Sequence, residues 1–200
     1  MRKVLLLSVL SLVMVSRLAI AEELPAMEMT AEQKAQMEAW EKSATPGANH
    51  KVLDPLVGEW KYTSRMWKDA QSTPEESQGT TTSELIYDGR FLKEKVKGEH
   101  MGKAFEGVSI IGYNNVNEEY ESVWFDNMMT GMMFSKGTYD EAAKKLTFNG
   151  QFSCPMTGQK NMDFRSELVI QDQDNHTYSM YSTGPDGQEF KGMEIQYTRA

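Results

Sequence analysis

The sequence predicts a mainly β protein whose strands form a closed antiparallel barrel with up-and-down connections. From residue 59 onward, apolar and polar residues alternate in short runs, as in strands with one buried face. Short turn sequences such as Tyr87-Asp88-Gly89 and Gly184-Pro185-Asp186-Gly187 separate these runs, and such links join neighbouring antiparallel strands. A meander of about ten strands removes its exposed edges by closing on itself.

Two short signatures flank the β-rich part of the chain. It begins at Leu56-Val57-Gly58-Glu59-Trp60 and ends at Tyr197-Thr198-Arg199. A glycine two residues before a tryptophan lets the chain turn sharply and insert the indole into the base of a barrel. An arginine at the end of the last strand can stack its guanidinium on that ring. We therefore predict that Gly58, Trp60 and Arg199 form a structural clasp at the barrel floor.

The first residues have the pattern of a secretory signal. A basic start, an apolar stretch over residues 4–15 and the small-residue sequence Ala19-Ile20-Ala21 predict a signal peptide over residues 1–21, cleaved after Ala21. The apolar stretch is too short to cross a bilayer as a stable helix. We expect a periplasmic or secreted protein with no stable membrane anchor after cleavage. Its predicted parts are a helical arm over residues 22–50 and one barrel domain over residues 51–200.

Two helical segments precede the first strand. Thr30 and Gln33 form the pattern of a capping box, and Met29, Met37 and Trp40 make a narrow apolar stripe with Gln33. This pattern predicts a helix over residues 27–43 that lies against the rest of the protein, with a flexible or partner-binding arm as the alternative. A shorter helical turn is predicted over residues 50–56, with Val52, Leu53 and Leu56 facing inward.

Ten strands are predicted from the alternation and the turns. Their approximate ranges are 59–68, 79–88, 90–98, 104–113, 119–126, 132–139, 144–153, 161–171, 176–183 and 188–198. Two strands are apolar on both faces, around residues 108–111 and 123–125, as expected where a strand contacts the core on one side and a helix on the other. The N-terminal helix is the candidate for that cover.

Charge and residue types exclude several classes of function. The net charge of -8 leaves no basic surface for nucleic acid, and Cys154 is the single cysteine, so no intramolecular disulfide can form. The three histidines, His50, His100 and His176, are far apart in sequence and show no metal-ligand spacing. Methionine thioethers bind Cu(I), but this signal is not specific here. We expect no metal site, no haem and no other cofactor.

Several motifs together resemble one bacterial family. They include Pro46-Gly47 with Gly58 and Trp60, Gly112-Tyr113-Asn114-Asn115, Trp124-Phe125-Asp126, Gly137-Thr138-Tyr139-Asp140 and Tyr197-Thr198-Arg199. Over roughly residues 40–200 the chain resembles the DUF1579 family, a domain of unknown function related to the lipocalin-like (calycin) barrels. The resemblance implies such a barrel and, by analogy with calycins, a pocket for an apolar or amphipathic small molecule. It supplies no established reaction.

Large aromatic and methionine side chains on the apolar faces are the candidates for a ligand-binding wall. A barrel of this size holds either a packed core or one small ligand, and both uses suit these residue types. The methionine-rich run over residues 128–133 has two interpretations. It forms a loop at the barrel mouth that adapts to varied apolar ligands, or its side chains pack into the core. The predicted lining residues are Trp124, Phe134, Phe148, Met132, Met180, Tyr178 and Asp126.

Two acidic residues have the parity of buried side chains. Asp126 shares the parity of Trp124, and Glu94 lies between the apolar Leu92 and Val96. Each is either functional or structural, as part of an ion pair or a turn cap, and Arg165 and Arg199 are candidates to neutralise either one. No catalytic triad, phosphate loop or metal-hydrolase motif is present, so we predict no catalytic residues and no enzyme.

The predicted function is binding of a small apolar or amphipathic molecule inside an exported barrel. One alternative is a structural or interaction module, such as a dimer, with a packed barrel. The other is an enzyme that uses a buried carboxylate.

Overall fold

The barrel of this protein is closed by ten antiparallel strands in a computed structural model that describes residues 29–154, 158–184 and 187–200. Each strand pairs with the next, and β1 pairs with β10. The predicted signal peptide lies outside the described residues. The elements are α1 (Ala31–Ala44), α2 (Ala48–Lys51), a 3-10 turn (Asp54–Leu56), β1 (Gly58–Met66), β2 (Glu75–Ile86), β3 (Phe91–His100), β4 (Lys103–Asn114), β5 (Glu119–Asp126), β6 (Met133–Asp140), β7 (Lys145–Phe152), β8 (Met162–Ile170), β9 (Asn175–Thr183) and β10 (Glu189–Arg199). The sequence-based fold class is therefore confirmed.

Helical turns plug one end of the barrel, which we call the floor. Leu53 and Leu56 are almost fully buried and pack with Leu92, Leu146 and Leu168 from the strands. The cluster extends through further aromatic and aliphatic side chains of β5, β7 and β8. Burial of this cluster anchors the helical turns, because each apolar side chain removed from water stabilises the fold by about 1.5–3 kcal/mol.

Glycines on the inner wall let aromatic rings lie flat on neighbouring strands. Gly79 and Gly98 lie beside the ring of Tyr62, and a Cβ at either position would collide with it. Gly107 accommodates Trp124 in the same way. These rings therefore cover the glycine positions of the neighbouring strands.

Helix α1 begins as the sequence predicts but does not pack on the barrel. The capping box is present, with reciprocal hydrogen bonds between Thr30 and Gln33. No residue of α1 is buried, and Trp40 is 66% exposed. The expectation that α1 lies against the protein is wrong, because only its C-terminal end is attached, through hydrogen bonds from Arg90 and Asn115 to its last backbone carbonyls.

The apolar outer faces of β4 and β5 consequently have no helical cover from α1. Among the described residues, no helix is long and apolar enough to span a membrane.

Candidate functional site

The floor of the barrel is sealed around Trp60. This side chain is 1% exposed, and its indole N–H donates to the Leu56 carbonyl at 2.9 Å. The guanidinium of Arg199 lies 4.1 Å from the centre of the indole ring. Arg199 also donates to the carbonyls of Val57, at 3.0 Å, and Gln173. These contacts join the first strand, the last strand and the helical turn, so Trp60 and Arg199 have a structural role.

Gly58 is required by the same arrangement. Its φ is 134°, a conformation that other residues rarely adopt. A Cβ at this position would also lie 2.5 Å from the Arg199 guanidinium. The glycine therefore provides the turn into β1 and leaves room for the stacked arginine.

Above the floor, the inner faces of the strands enclose a region that we call the lumen, and several of the side chains that face it are not fully buried. Trp124, Tyr178 and Ile195 face inward and pack on the buried cluster of Trp60, Tyr62 and its neighbours, yet each is only partly buried. Met180 alternates with Tyr178 on the inner face of β9 and is also partly buried.

Glu94 lies on the lumen wall at the middle of β3. Its cross-strand partners, Ser83 on β2 and Ser109 on β4, share its inward face. The Ser83 hydroxyl donates to the carboxyl group at 3.5 Å, at the limit of a hydrogen bond. Burial raises the pKa of Glu94 to about 7, against the smaller effect of Ser83. Glu94 as a whole residue is only partly buried, and its position opposite Ser83 and Ser109 places its side chain on the lumen side of β3.

No cation of the described residues neutralises Glu94. Lys93 and Lys95 alternate with it on β3 and therefore face outward. Arg165 binds Glu167 at 2.7 Å on the outer surface, and Arg199 is held at the floor. The expectation that one of these arginines pairs with Glu94 is wrong for this reason.

The titratable groups around Glu94 are uncharged at neutral pH. Burial raises the pKa values of Tyr62, Tyr178 and Tyr197, and the charge of Glu94 raises them further. Burial, followed by the charge of Arg199, lowers the pKa of His176 to about 4. His176 stacks on the Tyr197 ring at 4.2 Å between centroids. The carboxyl group therefore faces neutral aromatic and hydroxyl groups.

Asp126 has a structural role at the mouth. One carboxylate oxygen accepts the indole N–H of Trp124 at 2.9 Å. The other accepts the backbone N–H groups of Met128 at 2.8 Å and Met129 at 3.1 Å. Asp126 thus fixes the Trp124 ring and begins the loop to β6, and both of its oxygens are engaged.

Three predicted lining residues do not line the lumen. Phe134 pairs with Val123 and Gln151 on the outer face and is 64% exposed, because Ser135 takes the inward position opposite Ser122. Met132 lies in the loop before β6 and is 60% exposed. Phe148 faces inward, but it is buried in the floor cluster. Trp124, Tyr178 and Met180 remain as lumen residues.

A groove of about 430 Å³ lies on the outer wall. Its lining includes Phe91, Ile110, Val123, Phe134 and, from the last turn of α1, Ser43. A second groove of about 390 Å³ begins on the other side of Phe134. The first groove lies on the outer faces of β4 and β5, where the sequence predicted a helical cover, and the second is lined by β6 and β7.

The described residues contain no cluster of three or more His, Cys, Asp or Glu side chains suited to a metal ion. His50 is the buried residue of α2 and accepts the Gly47 backbone N–H at 3.0 Å. His176 is enclosed by Trp60 and Tyr197 at the floor.

Sequence reasoning missed Tyr62, Ser83 and Ser109 as part of the site. The available signal was the small residues at inward positions of β2, β3 and β4, since glycine and serine leave space beside large rings. Period-two alternation emphasises apolar residues and therefore overlooks an inward serine.

Comparisons with known proteins agree with the barrel. A family model described as "Protein of unknown function (DUF1579)" matches residues 45–199. No curated protein matches the chain. The structure titled "Crystal Structure of Rv2717c from M. tuberculosis" is similar with a TM-score of 0.55 and 15% identity, over 78% of this chain and 99% of that chain. A redesigned β-barrel aligns with a TM-score of 0.38 and 14% identity, over 75% of this chain and 96% of its own. The first likeness shows a common fold.

Proposed function

Because the chain belongs to the DUF1579 family, whose function is unknown, we propose from its own geometry that the barrel binds a small apolar or amphipathic molecule in the lumen. One observation carries the proposal: Trp124, Tyr178 and Met180 face inward and keep accessible surface above a sealed floor. Aromatic and methionine walls with a few polar groups are typical of small-molecule sites.

The arrangement favours binding over catalysis. Asp126 is fully engaged in hydrogen bonds, and Glu94 faces hydroxyl and aromatic groups, with no second carboxylate among its partners in the described part of the chain. General acid–base chemistry needs a proton donor and acceptor placed around a reacting bond. Glu94 alone supplies one polar contact for a bound molecule.

The test is a matched pair of phenylalanine substitutions. Ser109→Phe places a large ring in the lumen between Glu94 and Trp124, its neighbours across β3 and β5. Thr80→Phe places the same ring on the exposed outer face of β2. With the neutral fluorescent probe N-phenyl naphthylamine, we expect Ser109→Phe to abolish saturable binding and Thr80→Phe to retain it. Equal binding by both variants, each folded by circular dichroism, contradicts a lumen site.

We also propose export of the mature chain. The basic start, apolar stretch and Ala19-Ile20-Ala21 sequence support it. N-terminal sequencing of protein from the periplasm or medium should begin at Glu22. A cytoplasmic protein that retains Met1 contradicts this part of the proposal.

A second candidate function is self-association through α1. Trp40 is 66% exposed on α1 and Phe134 is 64% exposed on the outer wall. Ser43 in the last turn of α1 lines the groove beside Phe134, so the two apolar surfaces are adjacent in one chain. In a two-fold dimer, each helix covers the groove of the other copy. Light scattering should show a dimer that Trp40→Ala and Phe134→Ser each convert to monomer; a monomeric unmodified protein contradicts it.

A further inference from the structure

Glu94 is the charged side chain at the middle of the lumen, and the described structure gives it no fixed counter-ion. Its strand neighbours Lys93 and Lys95 face solvent, and its one hydrogen-bond partner is the Ser83 hydroxyl at 3.5 Å. An ionised carboxylate inside a protein is costly unless it is paired or well hydrogen-bonded. Either a proton or a bound cation can therefore neutralise Glu94, and the described residues supply no cation.

The groups that face Glu94 suit a cation better than an anion. Tyr62 on β1 and Tyr197 on β10 belong to one buried cluster on the inner side of the barrel, and Tyr178 on β9 packs against it. The charge of Glu94 contributes to the raised pKa of all three. The two serines opposite Glu94 add neutral hydroxyl groups. Aromatic faces attract ammonium groups, and a carboxylate forms charge-assisted hydrogen bonds with them. His176, the other titratable group below this level, is neutral and does not compete.

We propose that the lumen selects organic amines, with the ammonium group bound to the Glu94 carboxylate and an apolar chain along Trp124 and Met180. This inference rests on the proposed function of the lumen and names its ligand class. The apolar chain points to the mouth, because the floor beyond Tyr197 is closed by Trp60. A molecule with a carboxylate in place of the amine would meet Glu94 with like charge.

The pH dependence follows from the same geometry. Burial holds the pKa of Glu94 at about 7, while an alkylamine stays protonated well above that pH. The cation binds the ionised form of Glu94, so affinity for an amine should fall about tenfold between pH 8 and pH 6. Affinity for a neutral alcohol of the same length should change little, because the alcohol is uncharged at both values.

The experiment measures displacement of N-phenyl naphthylamine from the full mature chain by decylamine, decanol and decanoate, each below its micellar concentration. At pH 8 we expect decylamine to bind most tightly and decanoate most weakly. Glu94→Gln should weaken decylamine binding by at least about tenfold, as for loss of a hydrogen bond to a charged group, and leave decanol within about threefold. Glu84→Gln, which removes a carboxylate from the outer face of β2 beside Lys93, is the matched control and should change neither.

The outcomes separate this inference from the proposed function. If decanol and decanoate bind as tightly as decylamine, or if Glu94→Gln keeps the preference for the amine, the lumen is a binding site but the amine assignment is wrong. If none of the three probes displaces the dye, the proposed function fails together with the inference. A pH-independent affinity of the unmodified protein for decylamine also overturns the amine assignment. This measurement uses the unmodified protein alone and does not depend on the folding of a variant.

Discussion

Trp60→Ala tests whether the clasp at the floor is structural. The indole is 1% exposed, so the substitution exposes or empties about 200 Å² of apolar surface, worth about 5 kcal/mol at about 25 cal/mol per Å². Arg199 keeps its hydrogen bonds to the Val57 and Gln173 carbonyls and holds part of the floor. We therefore expect a loss of about 3–5 kcal/mol in the free energy of unfolding, the usual range for a large buried aromatic residue.

The assay is urea unfolding followed by circular dichroism, with probe binding measured on the folded variant. Val116→Ala is the control, because Val116 is 74% exposed and its loss should change stability by less than about 0.5 kcal/mol. Trp60 lies below Tyr197 and His176, so preference among lumen ligands should not change. A stable Trp60→Ala protein with altered ligand preference would refute the structural role.

Three further predictions concern the wall and the lumen. Gly98→Ala should lower the free energy of unfolding in urea by about 1–3 kcal/mol, since its Cβ would collide with the Tyr62 hydroxyl, whereas Gly131→Ala, with no atom within 4 Å, should change little; equal effects contradict the wall packing. Tyr120→Phe removes the 2.8 Å hydrogen bond from the Tyr120 hydroxyl to the backbone of α2 and should lower the free energy of unfolding by about 1 kcal/mol. An unchanged free energy would show that this bond does not anchor α2. The pKa of Glu94 is raised from 4.5 to about 7, so its contribution to stability is present below pH 4.5 and is lost as the pH rises through 7. The free energy of unfolding of Glu94→Gln relative to that of the unmodified protein should therefore rise by about 3 kcal/mol between pH 4.5 and 8. Parallel pH–stability curves for the two proteins would contradict this.

The sequence was sufficient for the strands because their signal is local. Each of the ten predicted ranges overlaps one observed strand, and β5 spans Glu119–Asp126 as predicted. Short polar turns separate the runs, so neither the number of strands nor their order depends on distant contacts. The closed meander follows from the same local information.

The direction of side chains on β6 was not predictable from its own residues. Met133 and Phe134 are both apolar, so alternation assigns neither one to the inside with certainty. The register is set across strands: Gly137 takes the inward position beside Phe148, which forces Phe134 outward. A one-residue shift exchanges the two faces of a strand, so this information lies only in the pairing.

Whether a cationic side chain reaches Glu94 also depends on tertiary structure. Parity alone indicated an inward carboxyl group, and a buried carboxylate usually has a cationic partner. Arg165 lies on the outer face, and Arg199 is engaged at the floor, so neither reaches it. The amine assignment arises from that difference between expectation and structure.

A crystal structure of the protein with decylamine at pH 8 tests the central claim most directly. We expect one ligand in the lumen, with its nitrogen about 3 Å from the Glu94 carboxylate and its chain beside Trp124. A ligand found only in the outer groove between Phe91 and Phe134, with none in the lumen, would contradict amine binding at Glu94.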